Sequence, residues 1–422
     1  MSPRTARAPL VAGVALGAAT LALLHVWAGW AYWNYSEGVY ILSARLIRHG
    51  ADLYGHVVAA QPPGVFLFGA ATEAVHDSLG WVRLVVGSVQ LAAGALGAVA
   101  VWRLTASRAA SVVTPALALL TPWAIHEHGA LTPDVLAAPV LLAAALMATR
   151  PRTAVAAGAL AALAPMIKLP FVIPAVALVL AARNRRAALA FAAVLAVEVA
   201  AAFAVFGENL WRDAVVAQLH SGRRTDLHFL LGLWGQEGWN EFGLVLPAAA
   251  LWWLRERARD PALLRVLAAT AAGLLVTVLT NVKSGTGLNV LVPLEAALVP
   301  PAVAAAALAR GRARPALIAG PAICLVMTAS LMASPRTAFP FIYPGSERNA
   351  WGRAFSDAGV RTIVAQAARC PRATVYTGPP FFAYLAHRRM PDDQPDQFLT
   401  TRSSTLRPVA ARMVADSANH CP

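Results

Sequence analysis

Several ionisable side chains stand at the edges of long apolar runs in this chain, where they could meet both lipid and water. Glu37 lies in NYSEGVY, directly after the first apolar run, with Ser36 and Tyr40 close by. A carboxylate within hydrogen-bond reach of a hydroxyl can take its proton, so Glu37 is a candidate general base. The alternative is structural, because an acid near the start of a helix stabilises the helix dipole.

Asp134 and Lys168 are two further charged groups that interrupt apolar sequence. Asp134 follows Pro133 at the expected start of a membrane span, where it is either a first-turn acid or a functional carboxylate. Lys168, in APMIKLPF, separates two apolar segments. A lysine at membrane depth costs about 3 kcal/mol and is a functional candidate by default. Either it contacts the phosphate of a lipid substrate, or its side chain extends to the lipid headgroups.

The motif HEHG places His126, Glu127 and His128 in consecutive positions. Helical zinc sites use two histidines four positions apart, so that both lie on one face of the helix. The HEHG spacing differs from this pattern. We therefore predict no metal site and interpret the three residues as solvated polar groups at the membrane interface.

The composition places the chain among membrane proteins. Of its 422 residues, 58% are hydrophobic and only 13% are charged, whereas soluble domains are about one quarter charged. Runs rich in Ala, Val and Leu repeatedly reach the roughly 20 residues that a spanning helix needs. The net charge of +14 comes from arginines clustered between these runs, as in loops that face anionic lipid, so we expect no nucleic-acid partner.

The arginine clusters also predict the orientation of the spans, because short cytoplasmic loops are enriched in Lys and Arg. The count is about eleven transmembrane helices, with a cytoplasmic N-terminus and an extracytoplasmic C-terminus. Segments 37–50 and 62–80 are predicted to be helices in the outer membrane interface. The five predicted cytoplasmic turns lie at 103–108, 150–152, 183–186, 255–265 and 310–314.

We expect two parts of unequal size. Residues 1–333 form the predicted transmembrane domain, whose outer loop 34–80 carries the candidate site. Residues 334–422 are more polar and predict a small extracytoplasmic α/β segment. Cys370 and Cys421 lie in that segment, and they are either free or joined in a disulfide, which an oxidising compartment would permit.

The order of the outer motifs resembles that of GT-C glycosyltransferases, specifically glycosyltransferase family 39 and the aminoarabinose-transferase-like group. The similarity extends over roughly residues 10–310. It rests on Ser36-Glu37-Gly38-x-Tyr40, Ala44-Arg45, Gly50-Ala51-Asp52-Leu53-Tyr54 and Gln61-Pro62-Pro63 in the first outer loop, on Asp134 in the second, on Lys168 after a Gly-rich helix, and on Lys283, Gly285, Asn289 and Glu295 in a later segment.

The resemblance implies an all-α polytopic membrane protein of the GT-C type. Such a protein transfers a sugar from a polyprenyl-phosphate donor to an acceptor outside the cytoplasm. Carried over to this chain, Glu37 is the base and Asp134 assists it, while Lys168 and Lys283 lie near the donor phosphate. The remaining residues expected to bind substrate are Ser36, Tyr40, Arg45, Tyr54, Gln61 and Asn289. The chain departs from the family at Ser36, usually Asp, and at Gln61, often Lys.

The remaining expectations concern location and partners. The preference for Arg over Lys and the Ala-rich spans are typical of a GC-rich bacterial genome, so we expect a multi-pass protein of the bacterial inner membrane. The acceptor is an unidentified glycan, lipid or protein, and membrane lipids surround the spans. No cofactor is assigned with certainty, and a divalent cation, Mg²⁺ or Mn²⁺, stays open. Trp211, Trp234 and Trp239 of the outer segment 207–243 are either interfacial anchors or platforms for sugar rings.

Two other functions stay open. A flippase or transporter of lipid-linked sugars would bury charges within its spans and contain internal repeats. The sequence has no clear repeat, and its polar residues collect on one side. The second alternative is a GT-C relative that has lost catalysis, which Ser36 in place of the family's Asp favours.

Overall fold

The computed structural model of this chain describes residues 3–32, 35–221, 244–252, 255–280, 288–311, 313–333, 357–371 and 374–421. Nearly all regular structure in these ranges is helical. The helices of the first two-thirds of the chain are α1 (Pro3–Ala28), α2 (Tyr35–Arg48), α3 (Gly64–Val75), α4 (Leu79–Thr105), α5 (Arg108–Leu119), α6 (Pro122–His126), α7 (Pro133–Ala148), α8 (Ala154–Ile167), α9 (Val172–Ala182), α10 (Arg185–Trp211), α11 (Gln218–His220) and α12 (244–252).

Three long helices follow, namely α13 (Pro261–Thr280), α14 (Leu291–Leu308) and α15 (Ala313–Ala333). Five helices in the described ranges are long and apolar enough to cross a membrane, and they contain the spans Arg7–Ala28, Leu79–Thr105, Arg185–His220, Pro261–Thr280 and Leu291–Leu308. Several other apolar helices are shorter. A 12-residue helix rises only about 18 Å, whereas the hydrocarbon core is about 30 Å thick. A helix of this length ends within the membrane, so the loop that follows it can lie at membrane depth. The number of about eleven spans stays a prediction.

The five arginine-rich turns meet at one end of the helix bundle. Arg103 pairs with Asp260 and donates to the Leu146 carbonyl, which connects the first, second and fourth of these turns. Arg265 Nε donates to the Ala181 carbonyl at 3.0 Å, which adds the third. Arg257 donates to the Leu308 carbonyl at 3.4 Å, which adds the fifth. The prediction that these turns lie on one side is therefore confirmed.

Local sequence sets the helix ends at these turns. α4 ends at Ala106, whose left-handed backbone (φ 54°) stops the helix, and the Ser107 side chain accepts from Ala110 N–H to begin α5. In the same way α9 ends at Arg183 (φ 53°), and the Asn184 side chain caps the start of α10. Ser and Asn are strong N-capping residues because their oxygen satisfies an otherwise unpaired backbone N–H. Sharp turns between antiparallel helices follow.

The two predicted interfacial helices are present at the opposite end of α4, beside Leu79. α2 and α3 pack against each other, and α3 also contacts the first turns of α4. With twelve residues, α3 is too short to span the membrane by itself. Within segment 62–80, α3 is followed by a turn, and the next long span is α4. The interfacial location of this segment stays a prediction.

The C-terminal segment is a small α/β unit. Its helices are α16 (Asp357–Ala368), α17 (Pro380–Leu385), α18 (Gln397–Arg402) and α19 (Arg407–Asp416). Strands β1 (Val375–Tyr376) and β2 (His420–Cys421) pair in parallel, with Val375 opposite His420. Cys370 is disulfide-bonded, whereas the side chain of Cys421 lies outside the described residues. The predicted boundary at 333/334 stays a prediction, because 334–356 also lie outside them.

This C-terminal unit, hereafter the cap (residues 357–421), is docked on the first outer loop. Gln394 accepts from Val58 N–H at 2.9 Å and donates to the His56 carbonyl at 2.7 Å. The ring of Phe381 lies 5.1 Å from the ring of Tyr32. Gly38 of α2 approaches Phe381 so closely that a Cβ there would come within 2.3 Å of the Phe381 nitrogen. The helix that carries Glu37 is therefore enclosed between the bundle and the cap.

Replacing Gly38 with Ala tests this docking. The new Cβ meets backbone atoms that cannot rotate away, so we expect the folded protein to lose about 1–3 kcal/mol. Gly80→Ala is the matched control, because a Cβ at Gly80 would meet nothing within 4 Å. The measurement is thermal unfolding of both variants in lipid nanodiscs. Equal unfolding temperatures for the two variants would contradict the described packing of the cap.

Candidate active site

Glu37 forms a buried, two-pronged ion pair with Arg83 of α4. Arg83 Nε donates to Glu37 Oε1 at 2.8 Å, and Nη2 donates to Oε2 at 2.7 Å. The same guanidinium also donates to the carbonyls of Gly29 and Ala31 at 2.8 and 2.7 Å. Both side chains are only 1% exposed. The pair therefore joins the end of α1, the start of α2 and the start of α4.

This geometry bears on the predicted role of Glu37 as general base. Both of its oxygens accept from one guanidinium, and such bidentate, charge-assisted pairs are the strong ones. A base must have a lone pair free to accept a proton. Each carboxylate oxygen keeps a second lone pair, so the pair with Arg83 does not by itself exclude a role of Glu37 as base. Its catalytic assignment stays a prediction, and in the described geometry it holds α2 in place.

Asp134 and Lys168 form the second buried ion pair. Lys168 Nζ lies 2.9 Å from each carboxylate oxygen of Asp134. Asp134 stands in the first turn of α7, which Thr132 and Pro133 begin. Lys168 has an extended backbone (φ −152°, ψ 122°) between α8 and α9, and this break presents its side chain to Asp134. The predicted break at Lys168 is present, whereas its predicted contact with a lipid phosphate stays a prediction, because its partner in the structure is Asp134.

The first outer loop comes directly against this break. A Cβ at Gly64 would come within 2.6 Å of the Met166 carbonyl oxygen, so only glycine permits the approach. Gly64 follows Gln61-Pro62-Pro63, the motif expected near the donor phosphate. The Tyr54 hydroxyl donates to the Gln61 carbonyl at 2.6 Å and fixes its position. The two motifs that resemble the family thus adjoin each other here.

Tyr40 lies between these groups. Its hydroxyl forms a hydrogen bond with the Gln61 side chain. Burial raises the pKa of the Tyr40 phenol, and nearby carboxylates raise this pKa further. Those carboxylates belong to Asp134, Asp396 and Glu127. Tyr40 therefore marks the point where the first outer loop, the second outer loop and the cap converge.

The HEHG motif is buried next to this centre. His126 Nδ1 and Glu127 Oε1 are 2.9 Å apart, and both residues are at most 1% exposed. Burial, followed by the Arg83 charge, lowers the pKa of His128 to about 3, so its imidazole is neutral. In the part of the chain that the structure describes, no cluster of three or more His, Cys, Asp or Glu side chains is arranged to hold a metal ion.

The other predicted site residues lie in different surroundings. Arg45 pairs at 2.7 Å with Asp77, which lies between α3 and α4, and stacks on the Tyr384 ring of the cap at 3.5 Å. Ser36 is half-buried in the first turn of α2. Asn289 is buried just before α14, and within the described chain its Oδ1 has no hydrogen-bond partner. Glu295 of α14 accepts from the backbone N–H groups of Trp123 and Ala124. Lys283, Trp234 and Trp239 lie outside the described residues.

Arg83 and Asp396 are site residues that sequence reasoning missed. A signal for Arg83 existed, because it is a lone charge at the start of an apolar span, and such charges normally have a partner. Asp396 gave no comparable signal. It belongs to the cap, begins α18 by accepting from Leu399 N–H at 2.9 Å, and faces Tyr35 and Tyr40. Burial raises the pKa of Asp396 to about 6.

The helix arrangement, the two outer helices and the docked α/β cap define a polytopic membrane protein with the GT-C fold. The chain is similar to the crystal structure of ArnT, an aminoarabinose transferase from Cupriavidus metallidurans, bound to undecaprenyl phosphate. That similarity has a TM-score of 0.65 at 17% identity and covers 94% of this chain and 88% of ArnT. For ArnT in the apo state the TM-score is 0.60, with the same identity and coverage.

No protein-family model matches the chain, and no curated protein matches it. At 17% identity, the likeness to ArnT establishes the fold. The predicted fold class is thereby confirmed, and the structural neighbours agree with the family that the outer motifs resemble.

Breaking the Glu37–Arg83 pair from one side should destabilise the fold. Arg83→Met leaves a buried carboxylate without its counter-charge, which costs about 3–5 kcal/mol. The double variant Glu37→Gln/Arg83→Met should recover part of this loss. Arg412→Met is the control, since Arg412 forms an exposed pair with Asp392, and such pairs contribute at most about 1 kcal/mol. The measurement is thermal unfolding of these variants in nanodiscs. An Arg83→Met protein as stable as Arg412→Met would refute the structural role of the Glu37–Arg83 pair.

Asp396 should make the stability of the cap depend on pH. Its pKa of about 6 in the folded chain lies above its ordinary value of 3.8, so the folded chain binds the proton more tightly. The stabilisation is complete below about pH 4 and is lost as the pH rises through about 6. Asp396→Asn keeps the helix cap, because Asn is a good N-cap, but removes this titration. As the pH rises from 4 to 7, we expect the unfolding temperature of the wild type to fall relative to that of Asp396→Asn. A difference that does not change with pH would contradict this account.

Proposed function

We propose that this protein transfers a sugar from a polyprenyl-phosphate donor to an acceptor at the outer face of the bacterial inner membrane. The observation that carries the proposal is the buried Asp134–Lys168 pair, which lies at a break between two apolar helices. The GT-C fold supports it, since a structure with this fold, ArnT, binds undecaprenyl phosphate.

The proposed reaction is a direct displacement at the anomeric carbon of the donor sugar. The acceptor oxygen forms a bond to that carbon while the bond from the carbon to the phosphate oxygen breaks. The acceptor proton passes to a carboxylate, and the carrier leaves as a phosphate monoester. Catalysis thus needs one base and one group that stabilises the developing negative charge on the phosphate.

Lys168 is the proposed phosphate ligand, and Asp134 is the proposed base. In the ligand-free pair the two charges neutralise each other, which suits their burial. A donor phosphate offers the ammonium a second anionic partner. When Lys168 turns to that phosphate, the carboxylate of Asp134 loses its partner and becomes a competent base. Binding of the donor would therefore prepare the base.

The groups around Asp134 support a binding role. The Tyr40 hydroxyl, whose pKa the Asp134 charge helps to raise, is proposed to orient the acceptor hydroxyl. Gln61, held by Tyr54, is proposed to donate its amide N–H to the donor phosphate. Glu37 is proposed as a positioning residue that holds α2 through Arg83. A divalent cation stays an open partner of the phosphate and enters no step of this proposal.

The proposed orientation places the cap outside and the arginine turns in the cytoplasm. The disulfide at Cys370 supports an oxidising compartment for the cap. The five arginine-rich turns at the other end of the bundle support a cytoplasmic location for that end.

A catalytically inactive relative that only binds polyprenyl phosphate is the second candidate. One observation favours it. The family resemblance points to two carboxylates, Glu37 and Asp134, and each of them forms a buried ion pair, with Arg83 and Lys168 respectively. Such a protein would bind the carrier lipid without consuming a donor sugar.

The decisive experiment follows radiolabelled sugar as it leaves a panel of polyprenyl-phosphate donors, using purified protein in nanodiscs with a membrane-extract acceptor. Asp134→Asn should slow release by about 10²–10⁴-fold, and Lys168→Met by about 10²–10³-fold. Asp416→Asn, in an exposed pair with Arg389 of the cap, is the control and should keep the wild-type rate.

Three results would change the proposal. If Glu37→Gln alone abolishes release while the fold is intact and Asp134→Asn is active, Glu37 is the base. If the wild-type protein binds carrier lipid but releases no sugar, the inactive-relative candidate replaces the enzyme. If the lipid crosses the bilayer unchanged, the protein is a transporter.

A further inference from the structure

The outer end of α10 contains two departures from regular helix geometry. Gly207 has φ 59° and ψ −149°, a conformation essentially restricted to glycine, and it redirects the chain that follows. Residues Arg212–Ala217 then form a π-helix. Such π segments are rare and frequently occur at functional sites. The residues between them, Glu208 to Trp211, are thereby placed beside the cap.

A cavity of about 500 Å³ lies at this position. This volume falls within the range of about 300–1,000 Å³ that is usual for small-molecule sites. Trp211 and Phe203 provide its aromatic surface. Its polar lining comes from Glu208, Asn209, Arg212 and, from the cap, Thr405. This set is called the Trp211 pocket below.

The lining suits a pyranose sugar. One face of a pyranose ring carries C–H groups that pack on an indole, while its rim carries hydroxyls that both donate and accept hydrogen bonds. Trp211 is 52% exposed and offers its ring to the cavity. A carboxylate, an amide and a guanidinium together supply acceptors and donors for the hydroxyls.

The Trp211 pocket adjoins the active site. Arg212 Nη2 donates to the Tyr54 carbonyl at 2.9 Å, and the Tyr54 hydroxyl donates to the Gln61 carbonyl. The Tyr54 ring also packs edge-on against Phe206 at 5.2 Å. A single residue, Tyr54, therefore separates the pocket from the loop that is proposed to bind the donor phosphate.

We propose that the Trp211 pocket is a subsite for a pyranose residue of the acceptor, so that the acceptor is a glycan or a glycolipid. The identification of the acceptor rests on the proposed function. The binding of a sugar by the pocket is independent of that function. The pocket holds one sugar unit while the neighbouring hydroxyl of the same acceptor reaches Asp134. The sugar unit contributes binding and does not take part in the displacement.

The test is saturation-transfer NMR on the protein in nanodiscs, without donor. The probes are the methyl pyranosides of glucose, mannose, galactose and arabinose. The wild type should transfer saturation to at least one of them, and Trp211→Ala should bind that probe about tenfold more weakly. Trp211→Phe should recover part of the binding, and Glu208→Ala, a second exposed position, should weaken it.

Trp252→Ala is the matched control. Trp252 is 50% exposed, but it lies beside the arginine turns, where Arg255 stands 5.4 Å from its ring. This variant should bind the probe like the wild type. Absence of saturation transfer to all four probes would contradict sugar binding by the Trp211 pocket. Equal transfer in Trp211→Ala and the wild type would contradict it as well.

Acceptor kinetics separate this inference from the proposed function. Trp211→Ala should raise the KM for a glycan acceptor about tenfold and leave kcat near the wild-type value, because uniform binding is lost. If the protein binds the probes but consumes no donor, the proposed transferase activity is refuted and sugar binding by the Trp211 pocket stands. Normal donor consumption without probe binding would refute the pocket alone.

Discussion

The ion pair between Glu37 and Arg83 is the constraint on which the outer half of the molecule depends. Arg83 joins α1, α2 and α4 through four hydrogen bonds, and the Phe381 ring of the cap lies 5.4 Å from its guanidinium. A buried charge is tolerated only when it is paired and hydrogen-bonded. The ion pair therefore fixes the start of the first outer loop, whose Gly64 lies against Met166, two residues before Lys168.

The same requirement for neutralised charge shapes the reactive centre. Asp134 and Lys168 are stable at this depth because each removes the penalty of the other. Under the proposed function, an incoming donor phosphate would compete for the ammonium and release the carboxylate. Binding of the donor and activation of the base would then be coupled through one cation. The paired state and the reactive state would differ by the partner of Lys168.

Local sequence predicted the features that depend on composition and spacing. The arginine turns, the short outer helices, the break at Lys168 and the α/β character of the cap all follow from residues close together in the chain. The partner of Glu37 did not, because Arg83 stands 46 positions away and joins it only through packing. Asp396 and the Trp211 pocket depend likewise on where the cap docks, which no local pattern encodes. Family resemblance pointed to the two carboxylates but could not show that each of them forms a buried ion pair.

The central claim is that Lys168 exchanges Asp134 for the donor phosphate. A cryo-EM structure of the protein in nanodiscs with undecaprenyl phosphate tests it most directly. The account predicts that Lys168 Nζ lies within hydrogen-bond distance of a phosphate oxygen and has left at least one of the Asp134 oxygens, which now lie 2.9 Å away. A bound phosphate that contacts other residues, with the Asp134–Lys168 pair unchanged, would contradict it.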